Sequence, residues 1–181
     1  HVYSSESSFG IPMKAFGGVV IGFILFGAVL AYTGGGRFFN DLALALVGRY
    51  RGGAAKVSIF ASGFMGSMSG SVISNVLTTG AVSIPAMKRT GFTARTAAAT
   101  EACASTGGVL MPPIMGATAF VMASFLSRPY VEIAIAAAIP SILFYFGLFA
   151  QIDAYSARRG LRGLSRAELP RLIGTLKEGW L

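Results

Sequence analysis

The residues in this sequence that could do chemistry are neutral oxygen donors gathered in two uncharged stretches. The first reads GSMSGSVISN over residues 66–75, and the second reads STGGVLMPP over residues 105–113. Neither stretch holds an acidic residue, so hydroxyls, one side-chain amide and main-chain carbonyls are the available ligands. Such oxygens suit a monovalent cation such as Na⁺ better than a divalent ion, which prefers carboxylates. The predicted Na⁺ ligands are Ser71, Asn75, Thr106, Gly107 and Gly108.

The same region also fits tight packing between helices, without any ion. Small or short side chains recur at four-residue intervals, at Gly63, Ser67, Ser71 and Asn75. Gly66 and Gly70 add a small-xxx-small pair of the kind that lets two helices approach closely. The spacing alone therefore leaves an ion site and a packing surface both open.

Glu101 is the single acidic residue within an apolar zone. An ionisable side chain inside a membrane indicates a functional role by default, for a proton or a cation. The alternative is a structural hydrogen bond near a helix end, since Arg95 lies only two turns earlier. There is no Ser–His–Asp set, phosphate-binding loop or carboxylate pair, and Cys103 is the single cysteine. The sequence therefore predicts neither an enzyme nor a bound cofactor.

The elements that must position these residues are membrane helices. Hydrophobic residues make up 54% of the 181 residues and charged residues only 12%, against about 25% in soluble domains. Uncharged stretches cover 15–36, 57–87, 102–127 and 133–152. The net charge of +8 is concentrated between these stretches, as in cytoplasmic loops of membrane proteins, so we predict no nucleic-acid partner. The predicted fold is an all-α integral membrane protein.

Two of the uncharged stretches do not fit simple spans. A helix over the 31 residues of 57–87 would be roughly 46 Å long, which exceeds the hydrocarbon core of about 30 Å. Its polar centre predicts a re-entrant helical hairpin, because non-helical backbone at membrane depth needs protein or a cavity around it. In the stretch 102–127, two adjacent glycines and two adjacent prolines predict a broken helix. The predicted unwound centre includes Ser105, Thr106, Gly107, Gly108 and Pro112.

Charge sets the predicted topology. The loops at 34–56, 88–95 and 153–181 hold 13 of the 15 Lys and Arg residues, so this side is predicted to be cytoplasmic. The helix between the first two stretches is either an interfacial arm or a plain connection. The predicted order begins with a periplasmic lead-in at 1–14 and ends with a cytoplasmic linker at 154–181. Between them lies a transmembrane repeat at 15–153, which comprises span 15–33, arm helix 37–50, hairpin 56–88, broken span 93–127 and span 131–152.

The motifs also resemble a known family. Two segments are similar to the large membrane subunit of TRAP (tripartite ATP-independent periplasmic) transporters: GSMSGSVISNVLTTGAVSIPAMKRTGF (66–92) and EACASTGGVLMPPIMGATAFVMA (101–123). They most resemble the type in which the large and small subunits are fused into one polypeptide. The similarity runs from about Phe9 to Arg162. It implies a multi-pass protein of the bacterial inner membrane, within the lipid bilayer, that imports organic acids with Na⁺ as the coupling ion.

The resemblance further implies partners and an elevator mechanism. A periplasmic solute-binding protein would deliver the substrate, and a small membrane subunit would accompany this one. Two inverted repeats would each supply a hairpin and a broken helix, and the sequence corresponds to the first repeat only, which we expect not to transport alone. By this resemblance Ser71, Asn75 and 106–108 are expected to bind Na⁺, and Ser74 and Pro112 to contact substrate. The alternatives are another elevator-type sodium–dicarboxylate or citrate symporter, and a membrane assembly subunit that transports nothing.

Overall fold

The described part of the chain is helical and contains no strand, which confirms the all-α prediction. A computed structural model describes residues 10, 13–14, 17–18, 21–164, 169–170 and 174–175. Most of the predicted lead-in, the start of the first predicted span and part of the predicted linker lie outside these residues. The helices are α1 Ile21–Tyr32, α2 Gly35–Val47, α3 Gly53–Ser69, α4 Val72–Arg89, α5 Ala94–Gly108, α6 Ala117–Phe125 and α7 Tyr130–Arg159.

Helix α3 lies at the centre of the fold. Thirteen of its 17 residues are buried, and it packs against α1, α2, α4, α5 and α7. Its sequence, GAAKVSIFASGFMGSMS, is dominated by small residues, which allow neighbouring helices to approach closely. The tightest approach is to α5, because a Cβ atom added to Gly66 would lie 2.7 Å from the Cα atom of Gly108.

Helices α3 and α4 form a hairpin with a very short turn. Gly70 ends α3 in the left-handed region, with φ of 62°, a conformation that glycine adopts without strain. Ser71 follows as the N-cap of α4, and its hydroxyl accepts the N–H of Ser74 at 3.4 Å. A Cβ atom on Gly70 would lie 2.5 Å from the carbonyl oxygen of Met115. The tip of the hairpin is therefore packed on the segment that connects α5 to α6.

The broken helix is interrupted later than the sequence predicts. Helix α5 continues through Gly108, and the non-helical segment covers 109–116. The prediction that residues 105–108 are unwound is therefore wrong. The physical reason is that the two glycines serve packing: a Cβ atom on Gly107 would lie 2.5 Å from the ring of Phe144, and Gly108 contacts Gly66. The chain leaves the helix just before Pro112 and Pro113, which have no N–H to donate.

The predicted arm helix occurs as α2, which begins at Gly35 and ends at Val47, short of the predicted end at residue 50. It packs on α3 through the buried residues Ala43 and Val47, and Phe39 stacks on Phe64 with 5.6 Å between ring centroids. Leu46, near the end of α2, is exposed.

Helix α7 is the longest of the described helices, with 30 residues and a length of about 45 Å. It passes the predicted end at residue 152 by two turns, and Pro140 lies inside it. Within the described residues it is the helix whose length and composition suffice to cross a membrane.

Three positively charged segments meet at one end of the fold. The N–H of Leu164 donates to the carbonyl of Gly48 at 2.9 Å, which joins the segment after α7 to the segment before α3. Phe92, in the connection between α4 and α5, stacks on Tyr155 with centroids 5.7 Å apart. The loops that the charge pattern assigns to one side of the membrane therefore lie side by side; which side this is stays a prediction.

Candidate functional site

Asn75 is the predicted ligand that the structure makes most distinctive. Its side chain is fully buried on the second turn of α4, and its Nδ2 donates to the carbonyl of Ser62 on α3 at 2.8 Å. Its Oδ1 is also buried and has no hydrogen-bond partner among the described residues. A buried acceptor without a partner costs on the order of 1–3 kcal/mol. This oxygen is therefore free to bind an added group, and binding would recover that energy.

The surroundings of Asn75 contain the contact between α3 and α5. A Cβ atom on Gly66 would lie 2.9 Å from Asn75 Nδ2 and 2.7 Å from Gly108 Cα. The structure thus brings together two of the predicted ligands, Asn75 and Gly108, beside Gly66. The carbonyl of Gly108 accepts the N–H of Met111 at 3.2 Å, which leaves that oxygen a second lone pair. The carbonyl of Gly107 accepts the N–H of Leu110 at 3.0 Å and also that of Val109.

The other predicted ligands make different contacts. Ser71 is exposed at the hairpin tip, where its hydroxyl caps α4. Thr106 is exposed, and its hydroxyl donates to the carbonyl of Ala102 within its own helix at 2.8 Å. Gly107 faces the rings of Phe144 and Tyr145 on α7. Among the described contacts, the side chains of Ser71 and Thr106 therefore do not reach Asn75.

The two predicted substrate contacts, Ser74 and Pro112, lie on the two parts that meet at the tip. Ser74 is exposed on the first turn of α4, and Pro112 is half-buried in the non-helical segment. That segment is fastened to the hairpin by the N–H of Ile114, which donates to the carbonyl of Ser67 at 3.2 Å. The hydroxyl of Tyr130 at the start of α7 donates to the carbonyls of Pro113, at 3.0 Å, and Ile114.

Helix ends of like polarity meet in two pairs around the tip. Helices α3 and α5 end close together, since Gly66 and Gly108 are in contact. Helices α4 and α6 begin close together, since Gly70 packs on Met115 and Gly116. The C-terminal ends carry partial negative charge and the N-terminal ends partial positive charge. The arrangement therefore offers one place suited to a cation and one suited to an anion.

A second polar centre surrounds Glu101, which is fully buried on α5. The sequence identifies this residue but not its partners. Five hydroxyls lie within hydrogen-bond distance of its carboxylate. Ser58 and Ser83 donate to Oε2 at 2.5 Å each, Ser62 and Ser105 donate to Oε1 at 2.6 and 3.3 Å, and the hydroxyl of Thr79 reaches Oε1 and also lies 2.9 Å from that of Ser62. We call Glu101 and these five residues the hydroxyl cluster. It joins both legs of the hairpin to α5.

A sequence signal for the hydroxyl cluster exists, although it is weak. Ser58 and Ser62 are four residues apart, as are Thr79 and Ser83, and Ser105 follows Glu101 by four. Residues at this spacing share one helix face. Three such polar pairs on three neighbouring apolar helices indicate a shared polar contact, but hydroxyl residues are too common for the pairs to identify one another.

No ion pair found among the described residues includes Glu101. Lys56 is buried near the start of α3. Its ammonium pairs with the carboxylate of Asp153 at 2.5 Å, and Arg51 pairs with the same carboxylate at 2.9 Å. The ammonium of Lys56 also lies 4.5 Å from the ring centroid of Phe149. Lys56 is thus neutralised by Asp153 at the charged end of the fold. Among the described residues, hydroxyl groups alone solvate Glu101.

A cavity of about 420 Å³ lies between α3 and α7, apart from both polar centres. Its walls are made almost entirely of apolar and aromatic side chains, among them Ile59, Phe60, Phe64, Met111 and Phe146. Such a lining suits hydrocarbon and not an organic acid, whose charge would be left without partners.

Comparison with known proteins decides the family. The sequence profile of the family described as "Tripartite ATP-independent periplasmic transporter, DctM component" matches residues 2–181. The chain belongs to this family. It is therefore part of the large permease component of a TRAP transporter, which is embedded in a membrane.

Characterised relatives share the family and differ in their named substrates. The chain is 31% identical to the C4-dicarboxylate TRAP transporter large permease protein DctM of Pseudomonas aeruginosa over 76% of its length. It is 28% identical to the sialic acid TRAP transporter permease protein SiaT of Haemophilus influenzae over 99%, and 30% identical to the isethionate TRAP transporter permease protein DctMQ of Oleidesulfovibrio alaskensis over 89%. The chain spans only 31%, 28% and 24% of these three relatives, respectively.

Proposed function

We propose that this TRAP chain is part of a Na⁺-coupled secondary transporter that imports an organic acid delivered by a periplasmic binding protein. Family membership supports the transport role. The relatives named for C4-dicarboxylates, sialic acid and isethionate all point to organic acids as the substrate class. The observation that carries the ion coupling is the buried Oδ1 of Asn75, which has no hydrogen-bond partner in the part of the chain that the structure describes.

The proposed Na⁺ site lies at the contact between the C-terminal ends of α3 and α5. Asn75 Oδ1 supplies a side-chain ligand, and the carbonyls of Gly107 and Gly108 supply main-chain ligands, of which that of Gly108 has a lone pair to spare. The partial negative charge of two helix ends favours a cation there. Ser71 and Thr106 complete the proposed set, with their oxygens reaching the ion after local movement of the tip.

The proposed substrate position adjoins the N-terminal ends of α4 and α6. Partial positive charge and free N–H groups at helix N-termini favour anionic groups such as carboxylates. Ser74, in the first turn of α4, and Pro112, in the non-helical segment, border this position. An anion beside a bound Na⁺ would be stabilised by its charge, which provides a physical basis for coupled binding.

In the membrane, the hairpin of α3 and α4 is proposed to be re-entrant. Its legs have 17 and 18 residues, so each rises about 26 Å, somewhat less than the hydrocarbon thickness of about 30 Å. The tip is polar and packed on protein, which is the condition for irregular backbone at membrane depth. The charged end would face the cytoplasm, within a multi-pass protein of the bacterial inner membrane that works as an elevator with a second repeat and a small membrane subunit.

The decisive experiment is uptake into proteoliposomes that hold the complete transporter. Uptake of a radiolabelled dicarboxylate, sialic acid or sulfonate is expected to need both an inward Na⁺ gradient and the cognate binding protein. Uptake that needs the binding protein but is indifferent to Na⁺ would remove the ion site and keep the family role. Absence of uptake for every tested acid, with intact assembly, would favour the alternative of an assembly subunit.

A further inference from the structure

The hydroxyl cluster has a function that the ion site at the tip does not explain. Glu101 is fully buried, in a chain that belongs to a membrane permease, and it is bound from α3, α4 and α5 at once. We propose that Glu101 is a reversible proton-binding site, and that the hydroxyl of Thr79 reorients when the proton arrives. This site takes H⁺, not Na⁺, and the proposal does not depend on an ion at Asn75.

The deprotonated state of Glu101 is stabilised by the many hydroxyl groups that can donate hydrogen bonds to its carboxylate. An ionised carboxylate is an acceptor only, and it can accept about four hydrogen bonds or slightly more. The five hydroxyls supply that number from three helices, and hydrogen bonds to a charged acceptor are stronger than neutral ones. Because the hydroxyls already point at the carboxylate, the charge is solvated inside the protein without a cationic partner.

The contacts of Thr79 also allow Glu101 to hold a proton. The hydroxyl oxygen of Thr79 is within hydrogen-bond distance of Glu101 Oε1, and it lies 2.8 Å from the carbonyl of Asn75 and 2.9 Å from the hydroxyl of Ser62. A hydroxyl has one hydrogen, so it donates to one of these acceptors at a time. When Glu101 gains a proton, its new O–H donates to Thr79 Oγ1, and the hydrogen of Thr79 turns to the carbonyl of Asn75.

This exchange adds one proton from water and breaks no bond between heavy atoms. It needs rotation about one C–O bond and no displacement of a helix. Ser58 and Ser83 keep their hydrogen bonds to Oε2 throughout, since the proton resides on Oε1. Thr79 and Ser83 are only half-buried on α4, so they mark the side from which a proton reaches the carboxyl group.

In the described part of the chain, no other charged group is in contact with Glu101 from the helices packed around it. On α3, Lys56 is paired with Asp153. Lys88 and Arg89 are exposed at the end of α4, and Arg95 is exposed at the start of α5. From α7, the hydroxyl of Tyr145 donates to the carbonyl of Ala104 at 2.8 Å. Among the described residues, the direct polar contacts of the Glu101 carboxyl group therefore come from the hydroxyl cluster.

Infrared difference spectroscopy on the complete transporter in lipid nanodiscs tests this proposal. On lowering the pH of the buffer across the range in which the transporter stays assembled, the wild type is expected to gain a C=O stretching band of a protonated carboxyl group. Glu101→Gln should lack that band. Thr79→Val should shift it to higher frequency, because the carboxyl O–H loses its acceptor, whereas Thr79→Ser should leave it in place.

The two Thr79 variants keep the test decisive even if Glu101→Gln fails to fold. A pH-dependent band that responds to Thr79→Val and not to Thr79→Ser supports the site. No pH-dependent carboxyl band, or a band that both Thr79 variants leave unchanged, overturns it. Repeating the titration without Na⁺ separates this outcome from the proposed ion site, because the band is expected in either condition.

Discussion

Asn75 and Glu101 are bound to the same residue of α3, the first through the carbonyl of Ser62 and the second through the hydroxyl of Ser62. The two hydrogen bonds measure 2.8 and 2.6 Å. One residue thus links the candidate ion ligand on α4 to the buried carboxylate on α5. Movement of the hairpin relative to α5 would disturb both polar centres together.

Replacing Asn75 tests the ion site most directly. Asn75→Ala removes the unpartnered Oδ1, and loss of one ligand worth about 1.4 kcal/mol would weaken the apparent Na⁺ affinity of uptake about tenfold. The measurement is the Na⁺ concentration for half-maximal uptake in proteoliposomes. Asn40→Ala, at the other asparagine in the chain, lies on α2 and should leave that concentration unchanged. An unaltered Na⁺ dependence in Asn75→Ala would exclude this side chain as a ligand.

The glycine contact between α3 and α5 predicts a large difference between two glycine substitutions. Gly66→Ala places a methyl group 2.7 Å from Gly108 Cα, and overpacking of this kind destabilises by about 1–3 kcal/mol. Gly147→Ala, in α7, meets nothing within 4 Å and removes flexibility from a helix. Thermal unfolding in detergent should show a lower midpoint for the first variant alone. Equal midpoints would mean that the two helices separate freely at this point.

The charged end of the fold depends on the partner of a buried lysine. Asp153→Asn leaves Lys56 without a neutralising charge, and an unpaired buried charge is destabilising. We expect a lower unfolding midpoint than for Glu132→Gln, which removes only an exposed pair with Arg128 at 3.5 Å. The double variant Lys56→Met, Asp153→Leu should recover much of the loss. If it is no better than Asp153→Asn, the pair is not the cause.

Labelling of engineered cysteines tests the proposed path through the membrane. In a Cys103→Ala background, Arg49→Cys and Arg89→Cys should react with an impermeant reagent from the same side, and Arg128→Cys from the opposite side. Ser71→Cys should react more slowly than Arg128→Cys, and more slowly still with Na⁺ and substrate present. Rapid labelling of Ser71→Cys from the Arg128 side in all conditions would show two complete crossings in place of a re-entrant hairpin.

The sequence was sufficient to predict the helices and the hairpin turn, for identifiable physical reasons. Uncharged runs bounded by Lys and Arg give the helix positions, and Gly70 followed by Ser71 combines a helix stop with an N-cap. The polar type of Asn75 and its place beside the tip also predicted an available oxygen. That its Oδ1 lacks a partner depends on Ser62 and Gly66, which lie on another helix.

The sequence could not show which structural role each glycine and each hydroxyl group has in the fold. Gly107 and Gly108 permit either an unwound chain or close packing, and the residues that select packing, Gly66 and Phe144, are distant in sequence. The hydroxyl cluster is unpredictable for the same reason, since its donors come from three helices. The TRAP family resemblance carried the function, because composition alone could not separate a carrier from other membrane proteins.

The contact of Gly66 with Gly108 has a consequence for how sharply a nearby site can discriminate by size. Where main chain meets main chain directly, there are no rotamers to choose among, and the spacing is set by covalent dimensions and van der Waals radii. A binding site with such a wall would vary little in width on that side from one molecule to the next. Such a site would discriminate between ions of different radius through its rigid wall and not through the adjustment of flexible side chains.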